Sequence, residues 1–294
     1  MEIQIPLVLF VAFCAVSAGI FGTQAILALK GEAKEIQVPT LIASVVALAI
    51  GGISVLFHLA QPLHIFNGFG NLTSGITQEL IVIVILAVVM LLYFIFLRRN
   101  ENVVPKWCAV LALVVCVVLD IICAHSYMMS AKPAWNNVLQ ILSVFGASLS
   151  VGPAVVAVIA EATHNEKGML GVCMKVGTIA ALVVTVAFIA FMATSASSYA
   201  GFGTTYIDPV NPTAHMFDAS TMTPFGAAYL PTTLAAIVLA LATAVFGWLY
   251  AKSETHSMAF AIAAAICGLL TAIVLRVLFY QLGANLFNFY GITG

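Results

Sequence analysis

Eight long apolar segments, separated by short polar breaks, dominate the hydrophobic pattern of the chain. Each contains roughly 19–25 residues, and a helix of about 20 apolar residues spans the hydrocarbon core of a bilayer. The segments are continuously apolar rather than alternating every second residue, which favours helices over a membrane barrel. The pattern therefore predicts an all-α integral membrane protein with eight transmembrane helices, at about 6–29, 39–60, 79–97, 107–127, 138–160, 172–193, 228–250 and 258–282.

Composition excludes the soluble classes of protein. Apolar residues make up 63% of the 294 positions and charged residues only 7%, whereas soluble domains carry roughly 25% charged residues. The formal net charge is -1, so the chain lacks the clustered basic face that a nucleic-acid binder needs.

The basic residues predict the orientation of the helices. Of the ten Lys and Arg residues, Lys132 alone lies in a loop after an even-numbered helix, and Arg276 lies inside the eighth helix. The other eight lie in or beside the loops after helices 1, 3, 5 and 7, and they are Lys30, Lys34, Arg98, Arg99, Lys106, Lys167, Lys175 and Lys252. Since cytoplasmic loops are enriched in Lys and Arg, we expect both termini to lie on the outer, periplasmic side.

Ionisable residues inside the predicted helices cluster in the outer half of the membrane. They are His58, Glu79, Asp120, His125 and Arg276. A channel or a proton-coupled transporter would place such groups near the midplane or along a full crossing path. The pattern instead predicts a site near the outer surface that is reached from within the membrane.

A quinol is one candidate ligand for such a site, because it is an apolar ring with two hydroxyls that arrives from the lipid. Its oxidation removes two protons, and imidazole is suited to accept one because it titrates near neutral pH. Glu79 at the rim could pass a proton to outside water. Two alternatives stay open: His58 and His125 could be structural polar groups, or they could be the axial ligands of a single b-type haem.

The chain contains no motif for a redox centre of its own. Its six cysteines include no C-x-x-C pair, and no Walker loop or H-E-x-x-H sequence is present. We therefore expect no metal site, and we expect a partner to receive any electrons. The long outer loop at 194–227 is rich in aromatic residues and favours a docking surface over a simple flap.

An ordered set of motifs resembles one family over about residues 50–285. The motifs are His58-Leu-Ala-Gln-Pro62, Phe66-Asn67, Gln78-Glu79-Leu80, Tyr127…Pro133-Ala-Trp135, Gly152-Pro153 and Arg276-Val-Leu-Phe-Tyr280. In this order they resemble the membrane anchor subunit of dimethyl sulfoxide reductase, the DmsC-like family. Eight helices with both termini outside are also expected of that family, so the resemblance makes residues 1–294 a single membrane-anchor domain.

The resemblance implies a function in anaerobic respiration at the cytoplasmic (inner) membrane of a prokaryote. Such anchors hold an iron–sulfur subunit and a molybdopterin catalytic subunit, oxidise menaquinol near the outer face and carry no haem. The family's quinol-site histidine would be His58 here, and its acidic partner Glu79. His64 and His125 stand where the relative carries arginine, so the quinone type and the proton path could differ.

We expect further residues to shape the quinol pocket, and we keep rival functions open. The pocket candidates are Gln61, Asp120, His125, Tyr127, Arg276 and Tyr280. Because Asp120 and Arg276 lie at similar depth, we expect them to pair at the floor of the pocket. The alternatives are a polytopic transporter or assembly protein without a redox role, or a single-haem cytochrome b-type anchor.

Overall fold

The computed structural model describes residues 3–59, 61, 67, 69–198 and 222–284. Within these ranges the chain forms eight long helices and no strand, which confirms the predicted all-α class and the number of helices. The helices are α1 (Ile5–Lys30), α2 (Gln37–Leu56), α3 (Gly75–Arg99), α4 (Lys106–His125), α5 (Val138–Ala162), α6 (Gly168–Ser195), α7 (Leu230–Lys252) and α8 (Ser257–Gln281). A short 3-10 turn, Lys34–Ile36, leads directly into α2.

The ends of three helices differ from the prediction at the positions that matter for the site. Helix α2 ends at Leu56, so His58 lies in the turn after it rather than inside it. Helix α3 begins at Gly75, so Glu79 lies in its second turn. Helix α4 ends at His125 and leaves Tyr127 beyond it. The prediction ran past the ends of α2 and α4 because apolar residues continue beyond them, and it began α3 too late because polar residues occupy its first turn.

Helices α1 and α5 form the centre of the bundle. Helix α1 packs against α2, α4, α5 and α8, and α5 packs in addition against α6. The two central helices cross at Gly19 and Gly152, where a Cβ on Gly152 would overlap the backbone of Gly19. Small residues at a crossing let two membrane helices approach backbone to backbone.

Large apolar side chains cover the outside of the bundle. Ile42 on α2 is 57% exposed, and Val88 and Leu91 on α3 are each 60% exposed. Such surfaces would promote aggregation in water but suit contact with lipid chains. All eight helices are long and apolar enough to cross a bilayer, and the chain is a multi-pass membrane protein.

One face of the bundle brings together the start of α1, the end of α2, the start of α3 and the end of α4. We call it the N-terminal face. The ends of α6 and α8 and the start of α5 lie at the same depth as this face. They line a small cavity, which Val11 of α1 also lines.

Candidate functional site

A cavity of about 300 Å³ opens at the N-terminal face between α1, α2, α3 and α4. We call it the four-helix cavity. Its wall is mostly apolar, with a few polar side chains. The lining residues are Leu7, Phe10, Val55, His58, Leu59, Ser74, Gly75, Ile76, Glu79, Leu80, Ile83, Ser126, Tyr127 and Met129. This composition is typical of a pocket for an apolar ligand that is oriented by a small number of polar groups.

Glu79 is the carboxyl group of the cavity, and a hydrogen bond holds it in place. Its side chain is only 6% exposed, and the hydroxyl of Ser126, just after α4, donates to its Oε1 atom. One turn before Glu79, Gly75 brings α3 against the end of α4, because a Cβ there would lie 2.8 Å from the Cβ of Ser126. The close approach of the two helices therefore fixes the carboxyl at the cavity wall.

His58 contributes the other titratable group of the wall. It lies in the turn that follows α2, where its backbone N–H donates to the carbonyl of Val55 at 3.0 Å. The residue is exposed but also lines the cavity. The structure thus brings an imidazole and a carboxyl group, which are 21 positions apart in the sequence, to one cavity.

Tyr127 closes the cavity on the side of α4 and is the edge of an aromatic cluster. Its ring packs edge-on against Trp135, Phe279 and Tyr280 at centroid distances of 6.1–6.2 Å. The Trp135 indole N–H donates to the carbonyl of Phe279 at 2.7 Å. Burial raises the pKa of the Tyr127 phenol well above its ordinary value, so Tyr127 forms a neutral wall. Tyr280 belongs to the cluster but does not line the cavity.

Arg276 lies behind this aromatic wall rather than in the cavity. Its guanidinium carbon is 4.7 Å from the centre of the Tyr127 ring and 4.4 Å from that of Phe279. The residue is 5% exposed, and its three guanidinium nitrogens have no hydrogen-bond partner among the described residues. Arg276 also lines a separate cavity of about 30 Å³, which is room for about two water molecules.

Asp120 is not part of this arrangement, and the expected pair with Arg276 is wrong. Its carboxyl accepts a hydrogen bond from the Ser148 hydroxyl at 2.6 Å, and its Oδ1 atom has no partner in the described part of the chain. Asp120 and Arg276 line different cavities. The reason is that the two helices have largely different neighbours: α4 packs mainly against α1, α3 and α5, whereas α8 packs mainly against α5 and α7.

The remaining predicted pocket residues lie away from the cavity wall. His125, the last residue of α4, is exposed and does not line the cavity, and neither does the exposed Gln61. His58 lines the cavity and His125 does not, so the four-helix cavity does not bring the two imidazoles together. His64 and most of the loop 194–227 lie outside the described residues.

Sequence reasoning missed Ser126 and Gly75. Gly75 and Glu79 are one helical turn apart and share a face, which is a local signal. Their contact with Ser126 depends on how α3 packs against α4, and no spacing in the sequence reports that. Among the described residues, no group of three or more His, Cys, Asp or Glu side chains could hold a metal ion.

The arrangement suits an apolar molecule that carries hydroxyl groups and gives up protons. Ile76 and Met129 line the cavity and are 54% and 44% exposed, so its wall reaches the lipid-facing surface. His58 and Glu79 supply proton acceptors on the wall of the same cavity.

Comparison with known proteins adds one finding. The family model described as DMSO reductase anchor subunit (DmsC) matches residues 1–282, a range that contains all eight helices and the whole four-helix cavity. No curated protein matches the chain.

Proposed function

Because the chain belongs to the family of DMSO reductase anchor subunits (DmsC), we propose that it oxidises menaquinol in the four-helix cavity. It does so as the membrane anchor of a molybdopterin oxidoreductase complex. The observation that carries this proposal is the joint presence of His58 and Glu79 on the wall of one largely apolar cavity. A quinol needs an apolar site for its ring and a proton acceptor for each of its two hydroxyls.

In this proposal the quinol loses two protons and two electrons and leaves as the quinone. The imidazole of His58 accepts the proton of one hydroxyl, and its exposed position lets it release that proton to the surface. Glu79 accepts the second proton, and the hydrogen bond from Ser126 stabilises its carboxylate form beforehand. The electrons pass to an iron–sulfur subunit docked at the N-terminal face, and from there to the molybdopterin catalytic subunit.

The distribution of basic residues supports an outer location for the cavity. Lys30 and Arg99 end α1 and α3, Lys106 begins α4, Lys167 precedes α6, and Lys252 ends α7. All of these positions lie at the face opposite the four-helix cavity. By the positive-inside rule that face is cytoplasmic. The cavity then opens near the periplasmic side of a prokaryotic cytoplasmic membrane, and the loop 194–227 belongs to the docking surface for the partner subunits.

The test uses the assembled complex and two electron donors. We expect His58→Ala to abolish turnover with a menaquinol analogue, while a soluble donor that reduces the partner subunits directly still supports full turnover. His256→Ala is the matched control, since this exposed histidine lies at the start of α8 on the opposite face. Unchanged quinol turnover in His58→Ala would assign His58 a structural role. Purification of the chain without redox subunits, together with ion-coupled flux, would favour a transporter instead.

A further inference from the structure

A second cavity of about 300 Å³ lies between α1, α4, α5 and α6 and shares no lining residue with the four-helix cavity. We call it the α4–α6 groove. Val117 of α4 and Val172 and Val176 of α6 form part of its wall and are 43%, 50% and 60% exposed. The groove is therefore open sideways to the lipid, and a molecule dissolved in the membrane can enter it without crossing an aqueous phase.

The polar end of the groove carries one acceptor that the protein leaves unused. Asp120 lines the groove, is 2% exposed, and has an Oδ1 atom without a hydrogen-bond partner in the described part of the chain. Its other oxygen accepts from Ser148. The hydroxyl of Thr23, also in the groove wall, donates to the carbonyl of Gly19 in its own helix. An unpaired buried acceptor at membrane depth is costly, so the free oxygen of Asp120 points to a ligand that brings a donor.

We propose that the α4–α6 groove is a second binding site for the quinol, separate from the site of oxidation. This inference rests on the proposed function, which makes the quinol the hydroxyl-bearing apolar molecule available to the protein. One quinol hydroxyl donates to Oδ1 of Asp120, and the ring and tail lie along the apolar wall towards Val172 and Val176.

The chemistry of the groove favours a quinol over a phospholipid chain. An acyl chain fills apolar space but carries no donor for Asp120. By helical rise, Asp120 lies about 7.5 Å below the end of α4 at His125, which is deep for a charged headgroup. The described lining contains Asp120 but no histidine and no second carboxyl group. The groove therefore lacks the pair of proton acceptors found in the four-helix cavity, and it holds the quinol without oxidising it.

The structure provides two ways to block the groove and a matched control. A Cβ on Gly22 would meet only Leu113 Cδ2 at 3.9 Å and Cys116 Cβ at 4.0 Å, both side-chain atoms at ordinary contact distance, so Gly22→Leu introduces a side chain into the groove at a position where its Cβ meets no backbone. Asp120→Leu removes the acceptor. Gly52→Leu introduces the same side chain on α2, at a glycine that lines neither cavity and where an added Cβ would meet nothing from the described residues within 4 Å.

The experiment is photolabelling of the purified complex in lipid nanodiscs with a menaquinone analogue that carries a diazirine on its tail, followed by peptide mass spectrometry. In the wild type we expect labelled peptides from the four-helix cavity and from α6, both suppressed by excess unlabelled menaquinone. In Asp120→Leu we expect α6 labelling at a sub-saturating analogue concentration to fall about tenfold, as the loss of one buried hydrogen bond predicts. In Gly22→Leu we expect α6 labelling to fall because the leucine side chain occupies the groove. Labelling in the four-helix cavity should persist, and Gly52→Leu should behave as the wild type.

Two results would overturn this inference. One is α6 labelling that neither Gly22→Leu nor Asp120→Leu reduces. The other is α6 labelling by a photoreactive phospholipid that excess menaquinone does not displace, which would identify the occupant as an acyl chain. A failure of the proposed function can be distinguished from a failure of this inference, because the wild-type complex would then show no quinol-dependent turnover.

Discussion

The hydrogen bond from Ser126 to Glu79 gives the sharpest test of how the cavity works. Ser126→Ala removes the donor and leaves a carboxyl group that is only 6% exposed without it. A hydrogen bond to a charged group contributes about 1.5–3 kcal/mol. If that contribution stabilises the carboxylate that accepts the quinol proton, its loss lowers kcat/KM for quinol about 10- to 100-fold.

The assay compares two serine variants in the assembled complex. Ser150→Ala is the control, because the buried hydroxyl of Ser150 donates to the carbonyl of Gly146 in its own helix at 2.8 Å and lies outside the four-helix cavity. We expect quinol oxidation to fall only in Ser126→Ala, while turnover with a soluble donor stays normal in both. Equal kinetics of the two variants with quinol would refute the role assigned to the Ser126–Glu79 bond.

Two further predictions concern the interior of the bundle. The first is a double-mutant cycle of Asp120→Ala and Arg276→Ala, measured by thermal unfolding of the complex. We expect a coupling free energy below about 0.5 kcal/mol, because the two side chains line different cavities. A clearly larger coupling free energy would show that the two side chains interact. Gly152→Val should destabilise the bundle by about 1–3 kcal/mol, because its side chain meets the backbone of Gly19. Gly52→Val is the control in the same melting experiment, and equal melting temperatures would contradict the close crossing of α1 and α5.

Part of the candidate site was accessible from the sequence. His58 and Glu79 were identified because an ionisable side chain in a membrane helix has a large desolvation cost, and because these two residues flank one predicted outer loop. Two helices joined by one loop have the connected ends at the same face of the membrane, so both residues must lie at a similar depth. Ser126 was missed, since a serine at a helix end is common and its partner is set by the packing of α3 against α4.

The apolar pattern by itself determined the number of helices and the membrane as their surroundings. The reason is local: in lipid each segment must satisfy its own backbone hydrogen bonds, so about 20 apolar residues suffice to specify a spanning helix. The depth of each residue in the membrane follows from counting residues along its helix. Rotation about the helix axis and the choice of neighbours do not, because they depend on close contacts such as that of Gly75 with Ser126. Only the tertiary structure therefore separated Asp120 from Arg276 at similar depth, and assigned Asp120 and Glu79 to two different cavities.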